Sequence, residues 1–402
     1  MRRLTLQKNL GILFCILALV PWINFSTNDF DLQPWPFLAA VIFILSLKKI
    51  KIPENTLLIF LLIFFGLLVT LIFTNLFPIF LILRAIVSYF SLPLFYLAFY
   101  NFLCLFKFPL KTFVIVNIVW LIFGILDHFY PEASSFLRSN RMAPSRAGSS
   151  FSLAPEPFYF AIYLLFSSWF ILLSKNFKVN LKLKFLIIFN VFSIIFLVKS
   201  LALTMYLILF IIIFFIYFVL KIFFFKISKL FLLNFYSFII FILVFSFLFF
   251  IFLSDGYRIS KIIQILEDFN LNFILIDESI NVRVEAFALP IFISLNEFFT
   301  PLGIDTYDIY RDEYKNFFPN FFSSLVSHNK IMSWLGVIIF ELGIFGIFII
   351  FLFIKAAYRK SLKSILNIFF LIVVLISAIP IFFPLIPMLF ALMVYEKNTQ
   401  QT

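Results

Sequence analysis

Apolar runs long enough to cross a bilayer constrain this chain more than any other feature. One is 56–73, where no charged or amide side chain breaks the pattern. A helix rises about 1.5 Å per residue, so a run of this length spans most of a roughly 30 Å hydrocarbon core. Similar runs lie near residues 8–24, 34–47, 84–106, 112–127, 157–174, 183–198, 201–221, 230–253, 331–354, 364–379 and 381–395. The expectation is an all-α integral membrane protein, one polytopic domain over 1–402 with about 12 transmembrane helices. Pro380, Pro384 and Pro387 leave two readings of the last stretch, a pair of short helices or one broken helix.

Lysine and arginine orient the chain, because cytoplasmic turns of membrane proteins are enriched in both. One threading puts Arg2, Arg3, Lys8, Lys48, Lys49, Lys51, Lys107, Lys111, Lys397 and the basic turns at 175–184, 221–229 and 355–363 inside, with both termini. That side carries 17 lysines and 3 arginines. The other seven arginines, Arg84, Arg138, Arg141, Arg146, Arg258, Arg283 and Arg311, fall outside or at the outer boundary. Ammonium groups serve as topological anchors, whereas guanidinium forks grip carboxylate or phosphate bidentately. The split therefore points to an anion held by the outer arginines. Of the 19 acids, only Glu54 and Glu396 are cytoplasmic and Glu341 lies inside an apolar run.

The net charge of +12 reflects topology, since most cations occupy short inner turns, and no nucleic-acid partner is expected. Cys15 and Cys104 fall in predicted spans, which implies no disulfide framework. The first apolar run leads into polar 24–33 without a small-residue cleavage site, and reads as a retained helix.

Two segments expected outside interrupt the apolar pattern, 127–156 and 254–330. In the second, Ile259, Ile262, Ile263, Leu266 and Phe269 recur at helical spacing, which predicts a short amphipathic helix on the membrane surface. A loop this long with its own apolar face suits a cap over a site. The first carries Arg138, Arg141 and Arg146, then Gly148, then Glu156-Pro157 at the start of a span. Gly148 permits close backbone approach, and Pro157 suits the first turn of a helix whose free N–H groups favour an anion. The competing reading is a polar loop with cations at lipid headgroups. Glu341, an acid inside an apolar run, needs a partner or an aqueous cavity, and is equally readable as structural or catalytic. His128, beside Asp127, reads as interfacial.

Arg146-x-Gly148 followed by Glu156-Pro157 resembles the Arg-x-x-Gly and Glu-Pro-Ser pattern of Wzy-type O-antigen polymerases and their O-antigen ligase relatives. Further on come Arg283, Pro301-Leu302-Gly303, His328-Asn329 and Glu341-Leu-Gly343-Ile-Phe-Gly346, similar in order to the motifs around that family's large periplasmic loop. Lys199-Ser200 falls where relatives often have Ser-Arg. There are departures: Phe158 stands where Ser would complete Glu-Pro-Ser, Asp305 replaces a glycine, and Arg146 is one residue closer to Gly148 than in the pattern.

The resemblance implies a metal-independent glycosyltransferase of the bacterial inner membrane, in O-antigen and lipopolysaccharide biosynthesis, with its site facing the periplasm. Its partners would be an undecaprenyl-diphosphate-linked oligosaccharide, an acceptor glycan, the bilayer and a chain-length regulator. No cofactor or metal is expected; Asp305 and Asp308 stand apart, with no Asp-x-Asp pair or His cluster. His328, or else Glu156, would take the acceptor proton, and Arg138, Arg141, Arg146, Lys199 and Arg283 would bind the diphosphate. Gly148, Pro157, Asn329 and Glu341 would support the site. Polymerase and ligase share this chemistry. A lipid-oligosaccharide flippase is the alternative of another class, and would show charged or broken helices at the bilayer midplane.

Overall fold

A computed structural model describes residues 2–23, 33–73, 79–130, 150–174, 179–198, 278–314, 317, 331, 333–377 and 379–399. Every regular element longer than a single turn among them is helical: α1 (Arg2–Leu19), α2 (Trp35–Ser46), α3 (Thr56–Phe73), α4 (Ile79–Phe106), α5 (Leu110–Phe129), α6 (Pro157–Ser174), α7 (Leu181–Ser193), α8 (Glu278–Asn296), α9 (Tyr307–Tyr314), α10 (Trp334–Leu342), α11 (Ile344–Ala357), α12 (Leu362–Leu375) and α13 (Leu385–Thr399). α7 runs on as a π-helical turn over Ile194–Val198. Helix starts follow local chemistry: Pro157 opens α6, and Asn180, Ser333 and Ser361 cap α7, α10 and α12 by accepting backbone N–H bonds.

Four segments are long and apolar enough to cross a membrane, Ile82–Phe106, Leu110–Phe129, Pro157–Ser174 and Leu181–Val198. Trp35–Ser46, Thr56–Ile72 and Ile344–Ala357 are shorter and equally apolar. The expected spans at 201–221 and 230–253, and the amphipathic helix expected at 259–269, lie outside the described residues. The last apolar stretch is two helices, α12 and α13, joined through Pro380 and Pro384.

α13 is the axis of the core, with every side chain from Leu385 to Val394 buried. A helix apolar all round must be enclosed on all sides, and α4, α6 and α11 pack on it. Aromatic rings fill much of this interior: Trp22 lies 5.3 Å from Tyr159 and 5.4 Å from Phe383, and Trp120 stacks on Tyr163 at 4.3 Å. Buried polar pairs link three of these helices, with Asn117 of α5 donating to Ser167 of α6 and Asn190 of α7 donating to Ser168, both at 2.8 Å. In hydrocarbon such side chains pair across helices, each bond adding about 0.6 kcal/mol.

The run 331–354, expected as one helix, is two. Gly343 breaks it at φ +55, and α8 and α9 pack beside the break as a hairpin. Ala286 meets Gly336 while Phe299 meets Ile344, so α8 and α10 run in the same direction. The chain then doubles back along α9, where Tyr307 and Tyr310 pack on Phe340 and Tyr314 on Phe292.

Candidate functional site

The start of α6 is built by a buried carboxylate. Asp127, in the last turn of α5, accepts the backbone N–H groups of Phe151 at 2.8 Å and Ser152 at 3.3 Å through Oδ2. Ser152 sits in the left-handed region at φ +55, and its hydroxyl donates to the Trp120 carbonyl at 2.7 Å. Ser150 N–H donates to Leu197 at the end of the π-helical turn. Residues 150–155 are all buried. A buried irregular backbone must find internal partners, and Asp127 supplies the acceptor two of these N–H groups require. The chain reaches Pro157 in a fixed register, with the Glu156 carbonyl accepting from Tyr159 and Phe160.

Over this helix start lies Arg283 of α8, its guanidinium carbon 4.2 Å from the centroid of the Phe158 ring. Phe158 is buried and Arg283 half-buried. Stacking engages the flat face of a guanidinium, while its N–H donors lie in the plane and radiate from the edge.

Deeper in the bundle, Glu341 of α10 accepts the Tyr89 hydroxyl of α4 at 2.6 Å. The backbone of Asp305 also hydrogen-bonds its carboxylate, and the Glu341 carbonyl accepts the Thr70 hydroxyl of α3 at 2.8 Å. Leu302 N–H donates to Phe340 at 3.2 Å and Ile344 N–H to Phe299 at 2.8 Å, so the hairpin tip is fastened on both sides of the break. A Cβ on Gly343 would overlap the Phe299 carbonyl, and one on Gly336 would lie 2.7 Å from the Ala286 carbonyl. On the far side of the hairpin, Tyr314 donates to Glu297 at 2.6 Å. That bond, with burial and the Glu297 charge, pushes the Tyr314 phenol up to about 12, so it remains a donor at neutral pH.

Of the residues singled out in the sequence, Glu156, Pro157 and Arg283 come together at the α6 start. Glu341 meets the other end of the hairpin, through the Asp305 backbone. Arg138, Arg141, Arg146, Gly148, Lys199, His328 and Asn329 lie outside the described residues. His128 packs in the last turn of α5, its ring 5.5 Å from Phe129. Sequence reasoning missed Tyr89, Phe158 and Asp127 as parts of the arrangement. The available signals were an acid ending an apolar run ahead of a Ser-rich loop, and an aromatic at the position where the family pattern has serine. Compared with known proteins, the chain matches no protein-family model, no curated protein and no solved structure.

Proposed function

We propose that this protein is a polytopic membrane glycosyltransferase that polymerises undecaprenyl-diphosphate-linked oligosaccharide units into O-antigen or a related surface polysaccharide. The observation that carries the reading is the seat of Arg283 over Phe158, which joins two distant segments that each bear a motif of the family pattern. Twelve spans with both termini inside would put 127–156 and 254–330 on the periplasmic face of the inner membrane, within reach of the donor's diphosphate. Arg283, with Arg138, Arg141, Arg146 and Lys199, stabilises the leaving diphosphate, which needs charge compensation more than a proton. The acceptor hydroxyl oxygen attacks the anomeric carbon and the bond from that carbon to the diphosphate oxygen breaks. The diphosphate leaves with the electron pair and the hydroxyl proton passes to His328 or Glu156. No metal enters this scheme.

Arg283→Lys keeps the charge and loses the fork, so it should abolish polymer at normal protein levels; full activity would remove Arg283 from the clamp. Cysteines replacing Ser145 and Asp312 should react with an impermeant maleimide in cells whose outer membrane alone is opened. One replacing Lys178 should react only after the inner membrane is breached, and the opposite pattern would reverse the topology. Glycans of a deletion strain separate polymerase from ligase: single repeat units on lipid A core mark the first, bare core the second.

The break at Gly343 beside Glu341 favours a second reading, a lipid-oligosaccharide transporter, because broken helices with embedded carboxylates line transport sites. Bare core in the deletion strain, with lipid-linked repeat units accumulating on the cytoplasmic face, would select it.

A further inference from the structure

We propose that Tyr89 and Glu341 form a latch that seats the α8–α9 hairpin against the break between α10 and α11 and, through α8, positions Arg283 over Phe158. The second half of this rests on the reading of Arg283 as a diphosphate-binding group. Three links hold the hairpin tip: Leu302 N–H to the Phe340 carbonyl, Ile344 N–H to the Phe299 carbonyl, and the Asp305 backbone to the Glu341 carboxylate. The first two are backbone to backbone. The third runs through a side chain, which is itself oriented by the Tyr89 hydroxyl from α4 at 2.6 Å. The tip backbone is shaped to meet it, with Gly303 at φ +105 and Asp305 at φ +59, and Thr306 closes the turn by donating to the Leu302 carbonyl at 2.9 Å.

Glu341 is thus the point where α3, α4 and the hairpin converge, through its own carbonyl and both of its carboxylate contacts. Its partners are a phenol and a backbone amide, which ask of it only an acceptor. A glutamine of the same length keeps one carbonyl acceptor and puts an amide donor in place of the second carboxylate oxygen, so it retains the latch only in part. From the tip, α8 runs as one helix back to Arg283, packed on α10 at the close approach of Ala286 to Gly336. Releasing the tip frees the lower end of that lever, and the guanidinium loses its register on Phe158. Glu341 and Tyr89 are positioning residues, acting through α8.

Leu302, only 4% exposed beneath the docked tip, provides a readout independent of activity. In a full-length chain carrying Cys15→Ala, Cys104→Ala and Leu302→Cys, maleimide labelling in membrane vesicles reports how often the tip lifts. Glu341→Ala should raise that labelling rate roughly ten- to a hundredfold, the effect of leaving buried partners without their acceptor. Tyr89→Phe, the milder variant should Glu341→Ala accumulate poorly, should raise it several-fold, and Glu341→Gln, which keeps one acceptor oxygen, should label at a rate between the parent and Glu341→Ala. Parent-rate labelling in Glu341→Ala and Tyr89→Phe, or a Gln protein that labels as fast as the Ala protein, overturns the latch. In elongation assays with lipid-linked repeat units, Glu341→Ala should lower the rate and adding Arg283→Lys should lower it little further, because Arg283 is already displaced. Losses that multiply overturn the positioning role. If labelling responds as expected while neither Glu341→Ala nor Arg283→Lys alters elongation, the latch stands and the glycosyltransferase reading of Arg283 fails.

Discussion

Glu54 and Glu341 each tie a distant helix to α3 or its neighbours, yet they do so in opposite ways. Glu54 pairs with Lys397 at 3.0 Å, its side chain 43% exposed, and Lys397 also donates to the Ala356 carbonyl. Around them, Asn55 caps the Leu352 carbonyl and Tyr96 the Glu54 carbonyl. Glu341 sits some fifteen residues of α3 away, about 22 Å at helical rise, beside Thr70, and is met by a phenol and a backbone amide. At the Glu54 end water solvates both charges and stands ready to replace either, so an ion pair there adds about 0–1 kcal/mol. Glu341 is itself only part-buried, but its donor Tyr89 is fully buried, so losing the acceptor there strands a phenol that water does not reach. Of these two anchors, the one whose donor is buried is expected to hold more firmly.

The sharpest way to break that contrast is Gly343→Ala. A side chain at φ +55 costs about 1–3 kcal/mol in backbone strain alone, and its Cβ would overlap the Phe299 carbonyl. The expected result is the largest loss of thermal stability in detergent of any variant here. A melt indistinguishable from the parent would show that the hairpin does not rest on the break. Next comes Glu341→Ala, expected to destabilise by about 1–3 kcal/mol in a denaturant titration, with Glu341→Gln, which keeps one acceptor oxygen, recovering part of it; equal losses in the two would show that charge, and not acceptor geometry, holds the tip. Phe158→Leu keeps an apolar side chain and removes the ring quadrupole, weakening the seat of Arg283 by about 0.5–2 kcal/mol. The measurement is affinity for the lipid-linked donor of the proposed reaction, and unchanged affinity would detach the stack from the proposed site. The smallest effect belongs to Lys397→Met, expected within about 1 kcal/mol of the parent. A loss exceeding that of Glu341→Ala would invert the ranking of the two carboxylates.

Much of the helix pattern was legible in the residues. The bounds of α3 and α6 coincide with the apolar runs 56–73 and 157–174, and Pro157 marks the α6 start to the residue. α1 begins six residues ahead of its run, because Arg2 and Arg3 cost nothing in a helix whose first turn can reach the interface. The candidate site was legible in part. Arg283 and Glu156-Pro157 were singled out from charge and motif order, but nothing in the sequence paired Arg283 with Phe158, or Glu341 with Tyr89, since neither pair shares a helix face or a local spacing.

The amino-acid sequence by itself determined where the long apolar helices among the described residues run, because apolar segments of this length must satisfy every backbone group within themselves; α8 and α9, inside the expected outer loop 254–330, were not read from it. It also determined which segments carry polar chemistry. Tertiary structure alone decided that the run containing Glu341 is broken. Glu341-Leu342-Gly343 reads as ordinary helix interior, yet Gly343 sits at φ +55 against the 299–301 backbone, where a Cβ would overlap the Phe299 carbonyl. The same holds for Asp127, whose role depends on a loop more than twenty residues away folding back over it. Helix propensity and hydropathy are sums over neighbours in the chain, whereas a hydrogen-bond partner is fixed by position in space.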